Sequence, residues 1–170
     1  MREPLVAWAG DCVVRGDVAL GDGRLSDQVN QVEVLTFYGA KVDSLEDGRR
    51  VALDELEVER HELHIIEVSG HRGDPTRRLR TIPERVRLEV GPFDVTGCVH
   101  RAPSAAPLAA LSRWARFVPV TDAEFRCAGR DDEPTRREVV LVNRDRISRV
   151  AALVVAPNFE PEPRPADAPI

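Results

Sequence analysis

The sequence predicts a mostly β protein, built as a tandem duplication of a small, strongly bent β-sheet or barrel with one short helix per repeat. Three observations predict this fold. Apolar and polar residues alternate with period two, polar turn residues separate the alternating segments, and one pattern of residues occurs twice along the chain. The 170 residues, 42 % of them hydrophobic, suffice to bury one core or two small ones.

The repeat is visible at three places. Residues 16–18 and 97–99 share the pattern G-x-V at an offset of 81. Residues 24–42 match 107–125 at an offset of 83, and residues 56–66 match 140–150 at an offset of 84. Offsets that grow this little indicate corresponding elements joined by loops of different length. The predicted organisation is an N-terminal β repeat at 1–69, a linker at 70–85, a C-terminal β repeat at 86–155 and a Pro-rich flexible tail at 156–170.

The elements of each repeat follow in one order. A first strand leads through a turn into a short helical piece, then a second strand, a variable polar loop and a closing pair of strands. In the second repeat, Ser104 is placed to cap the helical piece and Pro107 to occupy its first turn. The predicted bounds are 12–20 and 93–101 for the first strand, 25–32 and 107–114 for the helical piece, 33–42 and 116–127 for the second strand, and 43–50 and 128–136 for the loop.

The closing segment is ambiguous when its first copy is considered alone. Residues 52–68 are rich in helix formers, although residues 55–59 alternate with period two. The second copy, residues 138–147, carries a β-branched run that ends in the polar sequence N-R-D-R, which is typical of a strand and turn. Both copies are therefore interpreted as a strand, a short polar turn and another strand.

The predicted core draws on both repeats. Small sheets bury little surface separately, so the halves are expected to share a core rather than to hang on a flexible linker. The residues predicted to form it are Val34, Leu35, Phe37, Leu108, Leu111, Trp114, Phe117, Val118, Val140 and Val142.

Composition and motifs argue against several classes of function. The net charge is −5, so the chain lacks the basic footprint of a general nucleic-acid binder. No long apolar run and no signal-like N-terminus is present, which favours a cytoplasmic protein without membrane contact. Nucleophile elbows, phosphate loops and metal-ligand motifs are missing, and Cys98 with His100 is the only same-face pair of soft ligands. No catalytic, cofactor-binding or metal residue is predicted, and the protein is expected not to be an enzyme.

The closing motif resembles a known family. Residues 58–63 and 142–147 each place an arginine turn between apolar residues, as the second signature of Sm-like proteins does, and residues 25–30 resemble part of the first signature. The resemblance implies a small bent sheet or barrel in each half. It also implies an RNA contact, in which Asp27 and Asn30 with Arg60, and Asn143 with Arg144 in the second copy, hold a base. The alternative is that these polar residues cap turns and the helical piece.

A second resemblance concerns the repeats themselves. Residues 24–30 match the pattern R-L-S-D-x-x-N, and residues 117–123 match F-[IV]-P-[LV]-T-D-A. Both patterns resemble those of an uncharacterised bacterial domain, which implies no particular activity. The two resemblances together cover about two-thirds of the chain.

The function expected from this organisation is a non-enzymatic protein-binding, assembly or regulatory module. A duplicated small sheet has two similar edge strands, and an edge strand is a ready surface for pairing with another protein or with a second copy. Residues 43–69 carry a local charge of −6 and residues 70–90 one of +3, which could orient a partner or complement each other within the chain. The alternative function is RNA or nucleotide binding through the two arginine turns.

Overall fold

The fold is a ten-stranded antiparallel open sheet. The structure is a computed structural model that describes residues 2–21, 23–68, 80–112 and 115–153. Strands make up 62 % of these residues, and a single α-helix occurs among them. The prediction of a mostly β protein is therefore confirmed. The Pro-rich tail and most of the predicted linker lie outside the described residues.

The described residues form ten strands and one α-helix. They also include three short 3₁₀ turns, at Arg60–Glu62, Ala109–Ser112 and Arg144–Arg146. The elements are β1 (Arg2–Ala9), β2 (Cys12–Ala19), α1 (Leu25–Gln31), β3 (Val34–Ser44), β4 (Arg50–Glu59), β5 (Leu63–Glu67), β6 (Ile82–Val90), β7 (Phe93–Arg101), β8 (Phe117–Cys127), β9 (Thr135–Asn143) and β10 (Ile147–Ala152).

Each half of the sheet has the same order of neighbours. The whole order is β10-β6-β7-β8-β9-β5-β1-β2-β3-β4. The first half, β1 to β5, therefore contributes β5-β1-β2-β3-β4, and the second half, β6 to β10, contributes β10-β6-β7-β8-β9. We call the β5–β9 pair the junction, because it joins the halves, and we call β4 and β10 the free edges, because each has one strand neighbour only among the described strands.

The ambiguous closing segments are strands, as predicted. In the first half β4 ends at Glu59, a 3₁₀ turn follows and β5 begins at Leu63, while the second half repeats this arrangement with β9 and β10. Two strand segments were missed. β1 alternates buried and exposed positions as strands do, and β6 begins at Ile82, so residues 82–85 are strand and not linker.

The predicted helix of the second repeat is wrong. Of this segment the structure describes residues 107–112, which contribute only the 3₁₀ turn Ala109–Ser112, and the backbone of Leu108 adopts a left-handed conformation with φ 58°. A left-handed residue cannot continue a right-handed helix, so Ser104 caps nothing here. The Leu108 amide instead donates to Glu84 Oε2 over 2.9 Å, which ties this segment to β6. Arg113 and Trp114 lie outside the described residues.

The interior consists of two hydrophobic clusters, and each cluster contains residues from both halves. The first cluster is built from the first half but includes Phe117 and Leu141, and the second is built from the second half but includes Ile65. Most of the predicted core residues are buried, with Leu108 and Leu111 half-buried against the second cluster. Val34 was wrongly predicted, because it is 43 % exposed. The buried predictions are Leu35, Phe37, Phe117, Val118, Val140 and Val142.

The repeated G-x-V pattern marks a close approach of two strands in each half. A Cβ at Gly16 would lie 2.9 Å from the carbonyl oxygen of Tyr38, and one at Gly97 would lie 2.8 Å from that of Thr121. The pairing register shifts at both places, between Arg15 and Asp17 and between Thr96 and Cys98. These bulges bend and twist the strands locally, so the repeated glycines serve the shape of the sheet.

Candidate functional site

Arg60, predicted to contact RNA, is a buried structural residue. Only 7 % of it is exposed. Its Nη1 donates to the carbonyl oxygen of Asn30 over 2.5 Å, and its Nη2 donates to Glu33 Oε1 over 2.6 Å. The guanidinium thus binds the last turn of α1, where helix carbonyls lack partners within the helix. Little of its hydrogen-bonding surface faces solvent.

Asn30 joins the two halves. Its side-chain Nδ2 donates to the carbonyl oxygen of Phe117 over 3.1 Å, and its Oδ1 accepts from the Phe117 amide over 2.8 Å. Nδ2 also donates to the carbonyl oxygen of Ser26 over 2.7 Å. One amide side chain therefore satisfies both backbone groups at the start of β8. Asp27, on the same helix, is exposed.

Asn143 has a matching role from the other half. It is fully buried at the start of the second arginine turn. Its Nδ2 donates to the carbonyl oxygen of Leu63 in β5 over 2.7 Å, and its Oδ1 accepts from the Asp145 amide over 3.1 Å. Arg144 is less buried, and its backbone amide donates to the carbonyl oxygen of Arg116 over 2.7 Å. The structure thus brings Asn30 together with Arg60, and Asn143 beside Arg144, in sites that hold the protein together.

We expect Arg60→Ala to lower the free energy of unfolding by about 2 kcal/mol, because the α1 carbonyls lose a charged, buried donor. Chemical unfolding of the full chain measures this. Arg49→Ala is the matched control, since its side chain is 86 % exposed, and it should change stability by no more than about 0.5 kcal/mol. Equal effects of the two substitutions would contradict the structural role of Arg60.

The junction lies in the middle of the sheet, and its strand β5 is completely buried. All five residues of β5 are buried, and Ile65, Ile66 and Glu67 lie opposite Val142, Leu141 and Val140. Both oxygens of the Glu67 carboxylate have partners, with Trp8 Nε1 at 2.8 Å and Arg137 Nε at 2.5 Å. Sequence reasoning missed this interface, because its partners come from distant parts of the chain.

The free edges contrast with the junction. No residue of β10 is fully buried, and only one residue of β4, Val58, is. Large apolar side chains are exposed on or near these edges: Val51 and Leu53 on β4, Val150 and Leu153 on or next to β10, Ile82 at the start of neighbouring β6, Val34 at the start of β3 and Val32 just after α1. Among the described residues these are all the exposed large hydrophobics, so the exposed apolar surface is concentrated at the two ends of the sheet.

The two free edges also differ in charge. β4 carries four carboxylates, Asp54, Glu55, Glu57 and Glu59, against one arginine. β10 carries one arginine, Arg149, and no carboxylate, and the turn before it holds two further arginines and one carboxylate, Asp145. One edge is therefore acidic and the other basic.

Two open cavities have some of these exposed apolar side chains in their lining. A cavity of about 340 Å³ is formed by α1 and the start of β3, with Val32, Val34 and Tyr38 among its lining residues. A second, of about 490 Å³, lies between β6 and the end of β10, with Leu153 and Cys98 in its wall. Neither holds a cluster of three potential metal ligands, since none occurs among the described residues. His100 lies between two threonine hydroxyls, 2.8 Å from Thr121 Oγ1 and 3.2 Å from Thr81 Oγ1.

His64 is a buried imidazole next to the junction. Its Nδ1 lies 3.1 Å from the carbonyl oxygen of Glu62, and its ring packs against Gly91, where a Cβ would come within 2.3 Å of the ring. Burial lowers the pKa of His64 below 6.5, and the nearby Arg146 lowers this pKa further. Burial also raises the pKa of Cys12 to about 11, so this thiol is protonated at neutral pH.

His64 should make the protein less stable in mild acid. The unfolded chain takes up a proton at this residue below pH 6.5, whereas the folded chain does so only at the lower pKa. Stability from the neutral imidazole is therefore complete above pH 6.5 and is lost as the pH falls toward the folded pKa. Urea unfolding at several pH values should show this loss in the wild type and a smaller one in His64→Gln. An unchanged loss in His64→Gln would contradict the assignment.

Comparisons give no family for this chain. No family model, curated protein or solved structure matches it. No helix among the described residues is long and apolar enough to cross a membrane.

Proposed function

We propose that this chain is a non-enzymatic, cytoplasmic protein-binding and assembly module that recognises its partners by strand pairing at β4 and β10. One observation carries the proposal. At the junction a β9 edge and a β5 edge pair with each other and become buried. The corresponding strands, β4 and β10, each have one strand neighbour among the described strands and lie exposed at the ends of the sheet. Unpaired backbone groups flanked by exposed apolar side chains are the features that strand addition uses.

We also propose that the two halves are copies of one Sm-like bent sheet. The shared order of strand neighbours, the repeated arginine turns and the two glycine bulges support this origin. The resemblance to the uncharacterised bacterial domain has the same consequence, since each of its patterns falls on one half. An ancestor of this kind would have carried both types of edge on a single unit, which is the property that an assembly module needs.

The polar side chains considered as ligand contacts, and the buried Glu67, make contacts within the protein that support the fold. Asn30 and Asn143 bind backbone groups, Arg60 donates to the Asn30 carbonyl oxygen and to the Glu33 carboxylate, and Glu67 is held by two donors. A catalytic group needs a reactive atom directed at a substrate. An amide that binds a nucleic-acid base likewise needs a donor or acceptor that no other protein group uses. The same contacts therefore weigh against the alternative of RNA or nucleotide binding.

Affinity capture from the native cell tests the proposed function. The tagged wild type should retain a protein partner at about 0.5 M salt, where exposed charges are screened within a few ångström. The double variant Leu53→Asp/Val150→Asp should lose that partner, and Arg24→Asp, which adds a carboxylate outside both edge strands, should keep it. Retention by the double variant would contradict the proposal. Nucleic acid that is bound at low salt and lost in Arg144→Ala would support the alternative instead.

A further inference from the structure

We infer that the partner is a second copy of this chain, with β4 of one copy pairing head to tail with β10 of the next. This inference rests on the proposed function, because it names the occupant of the same free edges. It commits to a contact between unlike edges, which repeats between copies what the junction does within one copy.

The register of this contact follows from the repeat. At the offset of 84 residues, Ile65 and Val142 of the junction correspond to Arg149 and Val58. The pair Ile66 and Leu141 corresponds to Val150 and Glu57, and the pair Glu67 and Val140 corresponds to Ala151 and Leu56. The pairing between β3 and β4 supports this alignment, because Phe37 lies opposite Leu56 as Val120 lies opposite Val140.

One substitution between the repeats fits a contact of this kind. At the junction, Glu67 and Arg137 form an ion pair of 2.5 Å. The corresponding positions at the free edges hold Ala151 and Leu53, so both members of the pair are replaced by apolar residues. Leu53 is 40 % exposed in the single copy. A paired change of this sort keeps the two sides compatible, with an apolar contact in place of an ionic one.

A second correspondence involves the start of β3. Phe117 begins β8, is fully buried and is bridged by Asn30 of the other half. Its counterpart at the offset of 83 is Val34, which is 43 % exposed and lines the cavity of about 340 Å³ beside α1. The position that Phe117 and Val34 share is therefore buried at Phe117, where the two halves meet, and exposed at Val34, where no second half lies against it.

Charge selects unlike edges over like edges. Two β4 strands brought together would oppose four carboxylates on each side, which is repulsive. The acidic β4 edge and the arginine-bearing β10 edge attract each other instead. Because the contact joins two different surfaces, it leaves one free edge of each type on a pair of copies, and assembly continues until the ends meet or a filament forms.

Two single-edge variants of the purified full chain test the inference. Leu53→Asp places a carboxylate in the apolar contact of β4, and Val150→Asp places one opposite Glu57 on the β10 side. Both positions are about 40 % exposed, so each variant should fold with the circular dichroism of the wild type. In sedimentation equilibrium each variant alone should be a monomer. A one-to-one mixture should form a heterodimer, because each variant keeps the edge that the other lacks.

The control and the contradicting outcomes are distinct. The wild type and Arg24→Asp should both assemble beyond a dimer, with dissociation constants at least roughly tenfold lower than those of the single-edge variants alone. A variant that still dimerises by itself would show that like edges pair, and a monomeric mixture would show that the two edges do not meet. Either result overturns the inference. If the capture experiment still finds a different protein at the edges, the proposed function survives while this inference fails.

Discussion

Gly97→Val should lower the free energy of unfolding by about 3 kcal/mol, because there is no room for a side chain at this position. A Cβ at Gly97 would lie 2.5 Å from Val120 Cγ1, 2.8 Å from the carbonyl oxygen of Thr121 and 3.3 Å from Ala123 Cα. Two of these three atoms belong to the backbone of β8, so relief requires β7 and β8 to move apart. Chemical unfolding of the variant measures the loss.

The other glycines supply controls for this prediction. Gly16→Val should have a similar effect, because a Cβ there would meet the carbonyl oxygen of Tyr38 at 2.9 Å. Gly21→Ala should change stability by less than about 0.5 kcal/mol, since its Cβ would have no neighbour closer than 3.8 Å. If Gly97→Val were as mild as Gly21→Ala, the repeated glycines would not mark close strand approaches.

Asn143→Asp should cost about 3 kcal/mol at neutral pH, because it turns a fully buried donor into a buried carboxylate. The new oxygen would face the carbonyl oxygen of Leu63, which now accepts from Nδ2 over 2.7 Å. Protonation restores a donor, so the folded state raises the pKa of the introduced acid. Stability should be closest to that of the wild type below about pH 3.9 and should fall as the pH rises through the raised pKa.

Asp27→Asn is the matched comparison, since Asp27 is exposed on α1 and should tolerate the change with little effect. Thermal unfolding of both variants between pH 3 and pH 7.5 separates them. A stability of Asn143→Asp that does not depend on pH, or a loss no larger than that of Asp27→Asn, would contradict the contact between Asn143 and Leu63.

Strand positions were largely predictable from the chain alone because the period-two pattern and the similarity between two parts of the sequence indicated the same elements. Residues 52–68 look helical by composition, and only the β-branched second copy favoured strands, which β4 and β5 confirm. The same comparison misled at residues 107–114, where the helix was transferred from the first copy. The left-handed backbone of Leu108, which ends any helix there, leaves no signature in residue type.

The roles of the candidate site residues were less predictable because their partners are distant in the sequence. The resemblance to Sm-like proteins singled out Asn30 and Asn143 as possible RNA contacts, whereas the structure places both side chains in hydrogen bonds to backbone groups. Their hydrogen-bond partners, Phe117 and Leu63, lie 87 and 80 residues away, and only the fold brings them together. The exposure of Val34 could not be predicted either. It corresponds to the buried Phe117 in the sequence pattern, but its place near the end of the sheet leaves it exposed.

Amide hydrogen exchange of the wild type in its assembled state tests the role of the free edges most directly. We predict that the outward amides of β4 and β10 are protected as strongly as those of β5 and β9, and that Leu53→Asp alone loses the protection at β4 and β10 while keeping it at the junction. Fast exchange at both free edges of the assembled wild type, with β5 and β9 still protected, would contradict strand pairing at β4 and β10 as the basis of binding.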